Sequence, residues 1–325
     1  MHRITSSRDS NEFSPFPRGY TVQIPELIAH IARGAKGARD LDREQARWAL
    51  ATLMQPAADP LQLGAFLIAL RMKGESAAEL TGFVEAARDH VAGWGEVVAP
   101  SGALDLPCYA GRRRSDPLIL AAALKLANGG TPVVVHGIDP IPGRIAAWPV
   151  LKALGIRRGG DLREGAAILA SEGIVYLDLT DLCPPLAQLF NLRPRLGVRT
   201  FANTVARLLN PLRCDSQLNG VFHPPYVGLM AEINVALGQP RSLILKGVEG
   251  DPEPDPSRSH PGVVQVGEIV TPLAYPPQSP LSERREAIGG ADAILARWRA
   301  APPEEHPGMS LIWAMLRQAV SGLPE

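Results

Sequence analysis

The chain has 325 residues, 46% hydrophobic and 20% charged, with 33 Lys plus Arg against 33 Asp plus Glu. That balance describes a globular protein of one large or two modest domains with ample material for a core. A formal charge of zero gives no bulk signal for nucleic acid or a membrane surface, so any basic patch must come from local clustering.

The opening stretch, MHRITSSRDSNEFSPFPRGY, is polar, lacks the apolar centre of a secretory signal, and reads as a disordered arm over 1–20. Residues 24–92 read as four helices. In the first, Ile24, Leu27, Ile28 and Ile31 recur at helical spacing behind Pro25. Asp42 is the expected cap of the second, whose stripe is Ala46, Ala49, Leu50 and Leu53. The third, DPLQLGAFLIALRMKG, is apolar on most faces and stops at Gly74. Ser76 with Glu79 three residues on predicts a capping box for the fourth.

From about residue 102 short β-rich runs alternate with helical ones: ALDLPCY (103–109), TPVVVHG (131–137) and IVYLDL (174–179) between helices of about 10–15 residues, as in βαβ units with a parallel sheet. Residues 183–212 read as two further helices, PPLAQLFNLRPRLG and VRTFANTVARLLNP, followed by a long helix over 223–238 and a strand over 241–248. The Pro- and Asp-rich segment 249–261 is a loop. Strand character resumes over 262–275, and two helices close the chain. No apolar run approaches the roughly 20 residues needed to cross a bilayer. Three cysteines, Cys108, Cys183 and Cys214, have no metal-ligand spacing and point to a reducing, cytoplasmic setting.

The stretch CYAGRRRSDP (108–117) lies between a predicted strand and a predicted helix, where α/β proteins commonly cradle phosphate on glycine-rich backbone. It holds one glycine, Gly111, and then Arg112, Arg113 and Arg114. Guanidinium groups bind phosphate directly and bidentately, without a metal. The bland alternative is a solvated charged turn. Tyr109 is equally a base-stacking ring or a core residue. His136, amid apolar residues, reads as a buried structural histidine, and Trp148, Trp298 and Trp313 read as core.

Six blocks, LQLGAFLIALRMKGESAAELTGFVEAAR (61–88), VVVHG (133–137), VLKALGI (150–156), RLGVRTFANTVARLLNP (195–211), GVFHPPYVGLMAE (220–232) and LILKGVEG (243–250), resemble the anthranilate phosphoribosyltransferase family in order and spacing. The resemblance covers most of 20–275. It implies an α plus α/β fold: a helical dimerisation domain (21–95 with 183–212) and a larger α/β domain (96–182 with 213–325) with a mainly parallel sheet. The family's chemistry transfers phosphoribose from its pyrophosphate donor to an aromatic amine. That needs a flexible glycine loop, two magnesium ions on carboxylates, and an acceptor held in line.

Against that pattern the chain departs. The family's Gly-Thr-Gly-Gly-Asp-Gly loop is replaced around Tyr109, Gly111, Arg112 and Arg113. The metal-binding Asp-Glu pair aligns with Pro252 and Glu253, leaving Glu253 as a weak metal candidate. Lys152 stands where the family has Glu, and Arg195 and Arg207 add to the cationic positions, while Arg193 matches the family's acceptor-contacting arginine. Lys246, ending a strand, is expected at the edge of the same cleft. Arg157, Arg158 and Arg163 extend the basic strip if the loops converge, with acids such as those of DPEPD and PPEEHP on the opposite face. This cation-rich loop is similar to that of the YbiB-type branch of the family, which implies sequence-independent DNA or RNA binding by a homodimer, without a cofactor. A rival expectation is weak or altered phosphoribosyl transfer from phosphoribosyl pyrophosphate with magnesium. A third is a small-anion sensor.

Overall fold

The computed structural model describes residues 23–34, 36–277 and 289–322; the arm expected over 1–20 lies outside them. Four helices come first: α1 (Ile24–Ile31), α2 (Arg43–Leu53), α3 (Pro60–Lys73) and α4 (Ala77–Asp89). Their starts follow from side-chain oxygens that satisfy the first free N–H groups. Asp42 accepts from Gln45 N at 2.8 Å, and the Ser76 hydroxyl accepts from Glu79 N at 3.2 Å while the Glu79 carboxylate takes Ser76 N at 2.8 Å. Glu79 is buried and also accepts from Leu41 N at 3.0 Å and Lys73 Nζ at 2.8 Å. One capping carboxylate therefore ties together the starts of α2 and α4 and the end of α3. Gly82 lets α4 close on α2, because a Cβ there would stand 2.2 Å from Arg43 O.

Strands and helices then alternate: β1 (Leu104–Cys108), α5 (Leu118–Asn128), β2 (Val133–Gly137), α6 (Ala147–Ala153), the two-residue β3 (Arg158–Gly159), α7 (Leu162–Glu172) and β4 (Ile174–Asp178). The short α8 (Leu179–Leu182) follows, and where two longer helices are expected over 183–212 the chain forms three, α9 (Pro184–Phe190), α10 (Arg193–Leu196) and α11 (Ala202–Arg207). Gly197, at a φ of 75°, ends α10 and breaks the run. The remainder is β5 (Ser216–Val221), α12 (Pro225–Ala236), β6 (Arg241–Lys246), β7 (His260–Val266), β8 (Ile269–Tyr275), α13 (Ala291–Ala300) and α14 (Met309–Ser321). The strand character expected over 262–275 is a hairpin, β7 and β8, turning at Gly267.

All eight strands join one sheet in the order β3-β4-β2-β1-β5-β6-β7-β8. It is parallel from β3 to β6 and antiparallel across β7 and β8. The fold is thus a helical bundle plus an α/β domain with a mainly parallel sheet, as the resemblance implies. β5 is the strand that the sequence pattern hides. Its residues SQLNGV are half polar, yet all are buried. A buried network engages them, though Asn219 Oδ1 has no hydrogen-bond partner among the described residues: Gln217 Nε2 donates to Asp105 Oδ2 at 2.8 Å, and the Asn219 and Asn234 amides donate to Gln217 Oε1 at 2.7 and 3.1 Å.

Alternating strand residues feed two apolar clusters. Val134, Val175, Leu177 and Ile244 face the helical bundle, α9, α11 and α12, whereas Leu106, Val133, Val135, Leu218 and Leu243 face α5, α6, α13 and α14. Trp298 and Trp313 pack against the second cluster, and Trp148 stacks on Tyr176 with ring centres 5.0 Å apart, so these tryptophans belong to the core.

The strand order reverses between β1 and β5. Those two strands pair only at Leu104↔Ser216 and Asp105↔Gln217, whereas β1 and β2 stay paired from Leu104 to Cys108. In open parallel sheets the carboxyl-end crevice at such a reversal is where ligands bind. Among the described residues no helix is long and apolar enough to cross a membrane.

Candidate anion-binding cleft

The loop leaving β1 turns at Gly111, whose φ is 65°. A Cβ there would lie 3.0 Å from Arg144 Cβ and 3.2 Å from Ile145 O, so this glycine serves the turn and a close approach of the 138–146 loop. Arg112 then pairs with Ile145 through both backbone bonds at 2.8 Å. Its guanidinium turns inward to the Glu253 carboxylate, with Nη1 on Val248 O at 2.9 Å and Nη2 on Asp116 O at 3.2 Å. Arg112 is 1% exposed. The expectation that it contacts phosphate is corrected: it is an internal strut. The reason lies in the loop after β6, which folds back over the strand ends. A Cβ on Gly220 would sit 2.2 Å from Asp251 C, and one on Gly247 would sit 1.6 Å from Asp251 O. Two glycines on separate segments thus admit Asp251, Pro252 and Glu253 as buried residues.

Glu249, in the same loop and at a φ of 55°, reaches the loop after β1. Its Oε1 accepts from Arg113 N at 3.1 Å and Arg114 N at 2.9 Å, and its Oε2 accepts from Arg144 Nη1 at 3.1 Å. Successive N–H groups after a β-strand are the donors that a phosphate cradle offers to its anion. Here a carboxylate of the protein's own takes them.

The side chains of Arg113 and Arg114 remain exposed, and with Lys246, Arg144 and Arg258 they line a cavity of about 510 Å3. Glu249, Glu253 and Asp255 line it as well. The DPEPD acids therefore sit in the cleft and not on the opposite face, another correction, but each is engaged. Glu253 holds Arg112, Asp251 Oδ1 accepts from Ala110 N at 3.3 Å, and Asp255 accepts from Ser257 Oγ at 2.6 Å beside Arg258. Burial lowers the Arg144 pKa, partly offset by Glu249.

A second cavity of about 300 Å3 opens beside α9 and α10, lined by Arg193, Arg199, Asn203 and Tyr109. Burial, with Arg193, Arg144 and Arg207 nearby, pulls the Arg199 pKa down to about 10. Tyr109 is a core residue and not a stacking ring. It is 1% exposed and bonded through its hydroxyl to His136 Nδ1 at 2.8 Å. His136 is buried and its Nε2 faces Asp105 at 3.1 Å, the acid that its sequence neighbourhood lacks. Arg207 is buried beside Asp251 and Cys108, and its Nη1 has no hydrogen-bond partner.

Two expected contacts lie elsewhere. Lys152 is in the last turn of α6, which runs back toward the amino-terminal edge of the sheet, and it lines neither cavity. Arg195 is exposed on α10 but lines neither cavity, unlike its neighbour Arg193. Arg157 and Arg158 pair with Glu172 and Asp181 instead of extending the strip. Arg144, Arg199, Arg258 and Phe222 are the cleft residues that the sequence reading passes over. Phe222 follows the hidden strand β5, so a strand–turn–helix reading of 216–236 was the signal that marks it.

The residues do not fit magnesium as they stand. Pro252 offers no carboxylate, and both Glu253 oxygens are engaged, Oε1 by Arg112 and Oε2 by Ile119 N at 3.0 Å. Among the described residues no group of three or more His, Cys, Asp or Glu is placed to hold a metal ion.

A helical bundle, a mainly parallel sheet and a cleft at the strand reversal define a two-domain glycosyl transferase scaffold. The family model described as "Glycosyl transferase family, helical bundle domain" matches residues 25–91, and "Glycosyl transferase family, a/b domain" matches residues 117–287. The chain belongs to this family. It is 35% identical to the uncharacterized protein YbiB of Escherichia coli (strain K12) over 72% of this chain and 73% of that protein. Anthranilate phosphoribosyltransferase of Gluconobacter oxydans (strain 621H) is 36% identical over 64% of this chain and 57% of the enzyme. The chain thus matches less than two thirds of that enzyme's length. The crystal structure of anthranilate phosphoribosyltransferase from Thermus thermophilus shares the fold, with a TM-score of 0.75 over 93% of this chain and 90% of that one at 24% identity.

Proposed function

We propose that this chain is a non-catalytic, cytoplasmic protein that binds DNA or RNA without regard to sequence, as a homodimer. One observation carries the reading: the cleft is filled from within by Glu249 on the loop N–H groups and by Arg112 on Glu253, while Arg113, Arg114 and Lys246 face its open cavity. A small diphosphate would have to displace both contacts. A phosphate chain needs only the side chains that face the cavity, of which Arg113 is exposed with its Nε 3.9 Å from Glu249 Oε2, and repeated cations with no shared catalytic geometry suit it best. Dimerisation is assigned to the helical bundle, where α3 exposes Leu61, Ile68 and Met72 along one face.

Fluorescence anisotropy with a length series of oligonucleotides tests the reading. Affinity is expected to grow with length and to fall steeply with salt. Arg113→Ala with Arg114→Ala is expected to flatten the log–log salt slope by about 0.7 to 0.9 for each phosphate no longer neutralised. A salt-insensitive affinity, or a mononucleotide bound as tightly as a long oligomer, contradicts it; the latter marks a small-anion sensor. Magnesium-dependent turnover of phosphoribosyl pyrophosphate that Glu253→Ala abolishes would establish transfer chemistry in its place.

A further inference from the structure

Phe222 follows β5 and is 55% exposed. Among the described residues it is the only Phe, Tyr or Trp that is exposed, every other one being buried or half-buried. Leaving a phenyl ring more than half in water forgoes the free energy of burying it. The ring's location gives that exposure meaning: it lines the cavity of about 510 Å3 together with Arg113, Arg114 and Lys246. Its backbone is fixed between the end of β5 and Pro224, which leads into α12. The His223 ring stands edge-on to it, with centres 4.9 Å apart at 87°. Gly250 lies against its backbone, where a Cβ would stand 3.6 Å from Phe222 Cβ.

An apolar face set among open cations matches a ligand that is flat and apolar in one part and anionic in the parts on either side. We propose that Phe222, flanked by His223, is a stacking platform for an unpaired base, which makes single-stranded nucleic acid the preferred partner of this cleft. The inference rests on the nucleic-acid reading above. A duplex stacks its bases on one another and presents no free base face. A single strand presents one at every nucleotide, and aromatic stacking accepts any base because each has a π face. The cavity lies within the range of about 300–1,000 Å3 that small-ligand sites occupy, which suits one splayed nucleotide.

The test measures binding of full-length protein to oligo-deoxythymidylate, to the same backbone made abasic, and to a duplex, all at one salt concentration. Phe222→Ala is expected to weaken the single strand about tenfold, within the range for losing one stacked base. The duplex affinity and the salt slope are expected to stay unchanged. The abasic strand is expected to bind the wild type no better than the normal strand binds Phe222→Ala. Phe222→Trp is expected to restore affinity and to show indole fluorescence quenched by the strand. Equal losses on single strand and duplex, no loss on either, or an abasic strand bound as well as the normal one overturns the platform while leaving nucleic-acid binding intact. A wild type that binds none of the three overturns both readings.

Discussion

Arg112 and its neighbours Arg113 and Arg114 are the same residue type, yet they are expected to fail in opposite ways. Arg112→Met removes a guanidinium whose side chain is 2% exposed from a carboxylate that is 4% exposed. Glu253 keeps Ile119 N at 3.0 Å but loses its counter-charge, and Val248 O and Asp116 O lose a donor. Removing one partner of a buried pair costs about 3–5 kcal/mol. With an unfolding entropy of about 2.1 cal/mol/K per residue, a chain of 325 residues is expected to melt about 4–7 °C lower in calorimetry. Arg112→Met with Glu253→Leu removes both charges and is expected to recover most of the loss. Arg113→Ala and Arg114→Ala, both exposed, are expected to melt within about 1 °C of wild type. An Arg112→Met protein that melts like wild type but loses nucleic-acid affinity refutes the reasoning, because the guanidinium would then be serving the ligand and not the loop.

Glu249→Gln removes the charge that occupies the N–H groups of Arg113 and Arg114. It is expected to tighten nucleic-acid binding several-fold in anisotropy, and weaker binding would show that Glu249 orders the loop for its ligand. Burial, opposed by the Tyr226 hydroxyl at 3.2 Å, raises the Glu75 carboxyl above its ordinary 4.5. The folded state then favours neutral Glu75. Its penalty is present at neutral pH, relieved as pH falls through the raised value, and gone below the unfolded value. Glu75→Gln is therefore expected to melt higher than wild type at neutral pH, with the gap closing on acidification; a gap independent of pH argues against this. Leu61 and Met72 are 79% and 81% exposed on α3. Leu61→Glu with Met72→Glu is expected to give monomers by light scattering, and an unchanged dimer mass would place the interface elsewhere.

Local rules were legible wherever the partner lies within a few residues. Asp42 and the Ser76–Glu79 box start α2 and α4 because a cap and its N–H groups sit on one turn. The parallel sheet follows from alternating runs for the same reason. β5 was not legible, because what makes Gln217 acceptable in a core is Asp105, 112 residues away. Likewise nothing near Arg112 separates it from Arg113. Glu253, 141 residues on, selects it, and Gly220 and Gly247 decide whether Glu253 arrives at all. The basic cleft was legible as a location, since strand ends of a parallel sheet share an edge. Which cations stay open was not, because that depends on a loop folding back from the other half of the domain.

The reversal of strand order has a mechanical consequence. The sheet is two plates meeting along a short seam, with β3, β4, β2 and β1 on one side and β5 to β8 on the other. Two residue pairs of ladder hold the seam, and above them the Arg112–Glu253 pair and the Ala110–Asp251 bond act as fasteners. Arg113 and Arg144 ride on one plate, Phe222 and Lys246 on the other. A strand of nucleic acid gripping both rims would splint the joint. Its arrival should therefore be felt as stiffness, as slower amide exchange in 106–108 and 218–221, strand segments that carry none of the contacts themselves.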